Sequence, residues 1–76
     1  MMLDCTGMRC PQPVIVLARA VRDAQAGLIV TIHTDDPAAL VDIPAWCRMR
    51  GHECRALPSS AGVDVHEVTV RHTSAV

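Results

Sequence analysis

The chain has no lysine, no tyrosine and no phenylalanine, and only one tryptophan. A single aromatic side chain provides no series of platforms on which the bases of a single strand could stack. All seven basic residues are arginine, a composition bias rather than a functional signal. Against eight acidic residues they leave a formal net charge of −1, so the electrostatic footprint expected of a direct nucleic-acid binder is missing. No apolar run approaches the ~20 residues that a membrane span requires. The opening MMLDCTGMRC has an early Asp4 and no basic segment leading into an apolar one, so it does not read as a secretory signal. The four cysteines, at positions 5, 10, 47 and 54, match no familiar zinc motif or disulfide scaffold. Reduced thiols and a cytoplasmic location are the expectation. His33, His52, His66 and His72 share no ligand spacing with one another or with the cysteines, so they read as surface or strand residues, and no metal or cofactor is called for.

What is present is an aliphatic core. Half of the 76 residues are hydrophobic, enough for one domain over 1–76, with the thin stability margin of a chain this short. Residues 2–6 alternate as a short strand and Gly7 breaks them. From Pro11 to Ala26 the spacing of Val14, Leu17, Ala18, Val21 and Gln25 predicts a helix, with Pro11 at its start and Gly27 past its end. Residues 28–34 (LIVTIHT) read as a buried strand and 38–50 as a second helix stopped at Gly51. Pro44 lies inside that helix, which suggests a turn at 37–41 and a fresh start capped by Asp42. Strands are expected at 52–57 and 63–72 around a Pro58–Gly62 turn. In the last of them the apolar set moves from Val63 and Val65 to Val68 and Val70, as a bulge near His66 would produce. The order is β-α-β-α-β-β. Right-handed crossovers then give a two-layer α/β sandwich, a four-stranded mixed sheet with both helices on one face.

The cysteines separate by position. Cys5 shares strand phase with Leu3, Cys47 shares a helix face with Ile43 and Trp46, and Cys54 shares strand phase with Ala56. For these three the expectation is core packing, since free cysteine behaves as a small hydrophobe. Cys10 stands where a loop meets the first turn of the first helix. Unpaired N–H groups and the helix dipole favour an anion there, and a thiol so placed ionises more easily than a free one. Arg9 should act in the same direction. In Cys10-Pro11-Gln12-Pro13 the two prolines stiffen the junction, while the N–H groups of Gln12 and Val14 remain as donors.

Together with Leu3-Asp4, Gly7, Gly27, Asp35-Asp36-Pro37 and Asp42-Ile43-Pro44-Ala45-Trp46-Cys47, that motif resembles the TusA/SirA/YedF family of small sulfur carriers over essentially the whole chain. The resemblance implies a sandwich like the C-terminal domain of bacterial translation initiation factor three. It implies that Cys10 accepts sulfane sulfur as Cys–S–SH, a carrier in a relay rather than a stand-alone enzyme. Donors in the family are cysteine desulfurases or rhodanese-type sulfurtransferases. Acceptors are sulfur-relay proteins of tRNA thiolation, molybdenum-cofactor chemistry or dissimilatory sulfur oxidation. Neither metal nor cofactor is implied, and a monomer is expected.

Three further expectations concern the surroundings of Cys10. Asp36, ahead of Pro37, should cap the second helix. On a helical wheel Val16 falls opposite the assigned core face, beside Arg19 and Asp23, so Met8, Arg9 and Val16 are the candidate partner-docking residues. The alternative function is a small thiol redox protein in which Cys5 resolves Cys10, although the pair lacks Cys-x-x-Cys spacing.

Overall fold

The computed structural model of the protein describes residues 1–71. Its elements are β1 (Met2–Asp4), α1 (Gln12–Arg22), β2 (Ile29–Thr34), α2 (Pro37–Arg50), β3 (Glu53–Ser60) and β4 (Val63–Thr69). The sheet order is β1-β2-β4-β3, with β1 parallel to β2 and β4 antiparallel to both of its neighbours. Both helices cover one face of this mixed sheet, as the order of elements predicted. His72, placed in the last strand by the sequence, lies outside the described residues.

The core lies between the layers. Leu17 and Val21 of α1, and Ala39, Ile43 and Cys47 of α2, meet Val30, Ile32, Val68, Val70 and Cys5. Each helix contributes residues four apart, the repeat of one helical face. On α1 the buried face is Pro13, Leu17 and Val21. It is rotated toward Pro13 relative to the face assigned from Val14, Leu17, Ala18 and Val21. Two expectations fall with that rotation. Val16 does not face water but packs half-buried against the core, and Ile15 is the apolar residue exposed there. Gln25 lies beyond the helix, which ends at Arg22, and is exposed.

α2 is one uninterrupted helix from Pro37, so the expected restart at Asp42 does not occur. The cap is Asp36, whose side chain accepts the Ala38 N–H at 3.1 Å. Pro44 removes only the bond that would reach the Leu40 carbonyl, and Leu40 is exposed, where water can satisfy that group. At the other end Gly51 adopts φ 80°, and the N–H groups of Gly51 and His52 turn back to the carbonyls of Arg48 and Cys47. This paired closure is the glycine-terminated helix end.

The bulge is also elsewhere. β2 and β4 stay in continuous register from Thr34↔Asp64 to Ile29↔Thr69, straight past His66. The irregularity falls on β3, between Leu57 and Ser60, and the turn is Ala61-Gly62, both at positive φ. The apolar pattern of β4 changes phase because His66 itself occupies a core-facing position in line with Val68 and Val70. Among the described residues no helix is long and apolar enough to cross a membrane.

Candidate functional site

In a β-α-β-α arrangement the loops after β1 and β2 emerge at the same end of two adjacent parallel strands. The first of these loops carries Gly7–Cys10 and the second carries Asp35-Asp36, and the two are laced together. Gly7 N–H donates to both carboxylate oxygens of Asp35 at 2.9 Å, and Cys10 N–H donates to Asp36 Oδ2 at 2.8 Å. A groove between them is lined by Gly7, Met8, Arg9, Asp35, Asp36 and Pro37. Met8 is half-buried and packs partly on the core, whereas Arg9 is exposed. Cys10 borders this region half-exposed, its inner side against the core.

Cys10 precedes the helix by more than the sequence indicated. Pro11 is the N-cap, the Cys10–Pro11 peptide is cis, and the first helical residue is Gln12. Gln12 N–H is not available to a thiolate, because it donates to the Arg9 carbonyl at 2.9 Å. Pro11 and Pro13 have no N–H, which leaves Val14 as the donor of the first turn. Pro13 is buried and Val14 half-buried, so of the supporting residues Pro11 and Gln12 stay at the surface with Arg9.

The electrostatics reverse the expectation of an easily ionised thiol. Burial, then a hydrogen bond from the thiol to the Asp42 carboxylate, then the charges of Asp42 and Asp36, push Cys10 up to about 11. The resting thiol is therefore neutral at pH 7. Arg9 acts on Asp36 instead. That carboxyl is held below its ordinary value first by the Cys10 and Ala38 N–H groups, with Arg9 adding to them against the opposing effect of burial. Asp42, expected only as a cap, proves to be the side chain that acts most strongly on the Cys10 thiol.

Of the remaining cysteines Cys5 and Cys47 are packed as their phases predicted, whereas Cys54, also expected in the core, is only partly covered and Ala56, in phase with it, is exposed. Cys5 and Cys47 are buried, and Cys54 is half-buried. The Cys5 thiol is raised by burial and by Asp4. It is fully buried. Among the described residues no group of three or more His, Cys, Asp or Glu side chains is placed to hold a metal ion.

What the sequence reading missed is the role of the second loop. Asp35 and Asp36 were legible as a helix start, but their hold on Gly7 and Cys10 follows only once β1 and β2 are known to be parallel neighbours.

The family model described as Sulfurtransferase TusA matches residues 1–72. Among solved structures the chain is similar to a SirA-like protein from Desulfitobacterium hafniense. The two are 25% identical, with a TM-score of 0.81, over 90% of this chain and 93% of that one.

Proposed function

The chain belongs to the TusA sulfurtransferase family, and on that premise we propose that it carries sulfane sulfur as a persulfide on Cys10, between a donor and an acceptor protein. The observation that supports this reading is the placement of the sulfur. Cys10 is the one cysteine both outside the regular elements and open to solvent. Its loop is fixed by Asp36 and bordered by a groove that a partner can enter.

Loading is an exchange at sulfur. The Cys10 sulfur attacks the outer sulfur of the donor's persulfide, a new S–S bond forms, and the donor's S–S bond breaks. The donor cysteine leaves and regains a proton. Discharge is the same step with the acceptor's thiolate attacking and Cys10 leaving. Because the resting thiol is neutral, its proton must be removed for loading, and the Asp42 carboxylate already accepts it in a hydrogen bond. Burial is the largest cause of the raised pKa, and a partner that sets a cation against Asp42 and Asp36 offsets the part that their charges add. Docking then activates Cys10, and the undocked thiol stays inert to stray electrophiles.

The donor in this proposal is a cysteine desulfurase or a rhodanese-type protein. The acceptor is a relay protein of tRNA thiolation, molybdenum-cofactor chemistry or sulfur oxidation. The carrier acts as a cytoplasmic monomer without touching nucleic acid itself. The test is intact mass after incubation with a persulfidated rhodanese. Wild type, Cys47→Ala and Cys54→Ala should each gain one sulfur, and Cys10→Ser none; sulfur gained by Cys10→Ser would overturn the assignment.

A further inference from the structure

Sulfur carriage through Cys10 leaves Cys47 and Cys54 unused. Cys47 lies in the last turns of α2, buried against the sheet, and Cys54 lies near the start of β3, the edge strand, where it is half-exposed. The tight closure at Gly51, with His52 N–H on the Cys47 carbonyl at 2.8 Å, turns the chain straight from the helix into the strand. Cys54 packs against the core cluster to which Cys47 belongs, and the two thiols act on each other's ionisation although no disulfide joins them. Burial raises both, Cys47 to about 12, while Cys47 works the other way on Cys54 and favours its thiolate. The pair is thus asymmetric. Cys54 is the half-open sulfur whose thiolate has a donor beside it, and Cys47 is the sealed sulfur behind it. α2 separates the pair from Cys10, which is tied to the opposite end of that helix through Asp36.

We propose that Cys54 and Cys47 form a second thiol site, an attacking and a resolving cysteine that a two-electron oxidant of the peroxide class converts into an intramolecular disulfide. The Cys54 thiolate attacks one oxygen of hydrogen peroxide. The O–O bond breaks, Cys54 becomes a sulfenic acid, and the departing hydroxide takes up a proton as water. Cys47 then attacks the Cys54 sulfur. An S–S bond forms as the S–O bond breaks, and the Cys47 proton leaves with the hydroxyl as a second water. The two thiols give up two electrons and two protons, and one peroxide becomes two waters. Because the resolving sulfur belongs to the cluster against which Cys54 packs, the sulfenic acid is captured before it can advance to the irreversible sulfinic acid. The disulfide fastens the end of α2 to the edge strand and leaves Cys10 a free thiol.

The test uses the reduced full chain exposed to two equivalents of hydrogen peroxide, the number that oxidation of one thiol to a sulfinic acid consumes, then blocked with iodoacetamide and digested with trypsin without reductant. Cleavage after Arg48, Arg50 and Arg55 places Cys47 and Cys54 on separate peptides, Cys54 within residues 51–55. The expected result is these two peptides joined, and separated again by reductant. In Cys47→Ala the 51–55 peptide should instead carry sulfinic acid. In Cys54→Ser, which leaves the buried residue in place, Cys47 should remain unoxidised at the same dose. The proposal is overturned by sulfinic acid on Cys54 of the wild type with Cys47 still alkylated, by Cys54 linked to Cys5 or Cys10, or by oxidation of Cys47 in Cys54→Ser.

Discussion

Asp36 serves two chain segments with one carboxylate: Oδ1 accepts the Ala38 N–H at 3.1 Å, capping its own helix, and Oδ2 accepts the Cys10 N–H at 2.8 Å. The Cys10 loop is therefore fastened to the start of α2 rather than to its own helix. Both bonds hold the Asp36 carboxyl below its ordinary value of 3.8.

Replacing Asp36 by Ala should lower the melting temperature and speed amide exchange at Cys10 and Ala38. Asp36→Asn, which keeps one acceptor oxygen, should recover part of both effects. The acid limb has a definite sign. Since the folded pKa is depressed, the stability this group contributes is present above the unfolded value near 3.8 and is lost as pH falls through the lower folded one. A melting temperature that falls equally over that range in wild type and Asp36→Ala would contradict the double role.

Asp42→Asn removes the second largest cause of the raised Cys10 pKa and the first of its two charge effects. The midpoint of the rate of iodoacetamide alkylation against pH should move down from about 11, yet remain above the ordinary 9.0, because burial persists. At pH 7 the variant should alkylate several-fold faster than wild type. An unchanged midpoint would show that the thiol does not bond to Asp42.

The architecture was largely legible because hydrophobic period, glycine stops and proline starts agree with one another at Pro11–Gly27 and Leu28–Thr34. The places where reading failed have physical causes. Pro44 argued for a break in α2, but its missing bond falls on the exposed Leu40, where it costs little. His66 argued for a bulge, because a polar residue at a core position looks like a change of face. Around Cys10 the local sequence showed one cation, Arg9, and none of the carboxylates brought in by the neighbouring loop and helix. The sign of a pKa shift is set by contacts distant in sequence, so Cys10 could be singled out as a candidate from its place in the chain, but the raised pKa of its thiol could not.

His66 is itself testable. It is buried on β4, its Nδ1 has no hydrogen-bond partner among the described residues, and burial lowers its pKa from 6.5 while Asp64 opposes this. Below about pH 6.5 the unfolded chain takes up a proton that the folded one resists, so stability falls as pH drops from there toward the folded value. Above 6.5 the group contributes no slope. His66→Leu should flatten the decline between pH 7 and pH 5 without loss at pH 7. A decline of the same size in the variant would assign it to other groups.

The docking surface gives the last prediction. Met8 and Arg9 line the groove beside Cys10, and α1 adds one exposed apolar side chain close by, Ile15, whose N–H closes the first turn onto the Pro11 carbonyl. A lone exposed apolar residue is ordinary on a protein surface. Ile15 is of interest because its turn closes on Pro11, the residue after Cys10, while Met8 in the loop before Cys10 offers a thioether able to adapt to more than one partner. Val16, one step around the helix, packs on the core. The two neighbours should therefore separate docking from folding. Ile15→Asp should slow sulfur transfer from a persulfidated donor at least several-fold and leave the melting temperature within a degree or so of wild type. Val16→Asp puts a carboxylate against the core and should cost on the order of 1–3 kcal/mol, which in a domain of this size lowers the melting temperature by roughly 4–8 °C for each kcal/mol. Because donor and acceptor must both reach Cys10, an Ile15 patch shared by the two predicts that Ile15→Asp slows loading and discharge alike. Single-turnover rates for each half-reaction measure this directly. If loading slows and discharge does not, the two partners do not share the Ile15 patch, and the acceptor approaches from another side, such as that of the exposed Asp42.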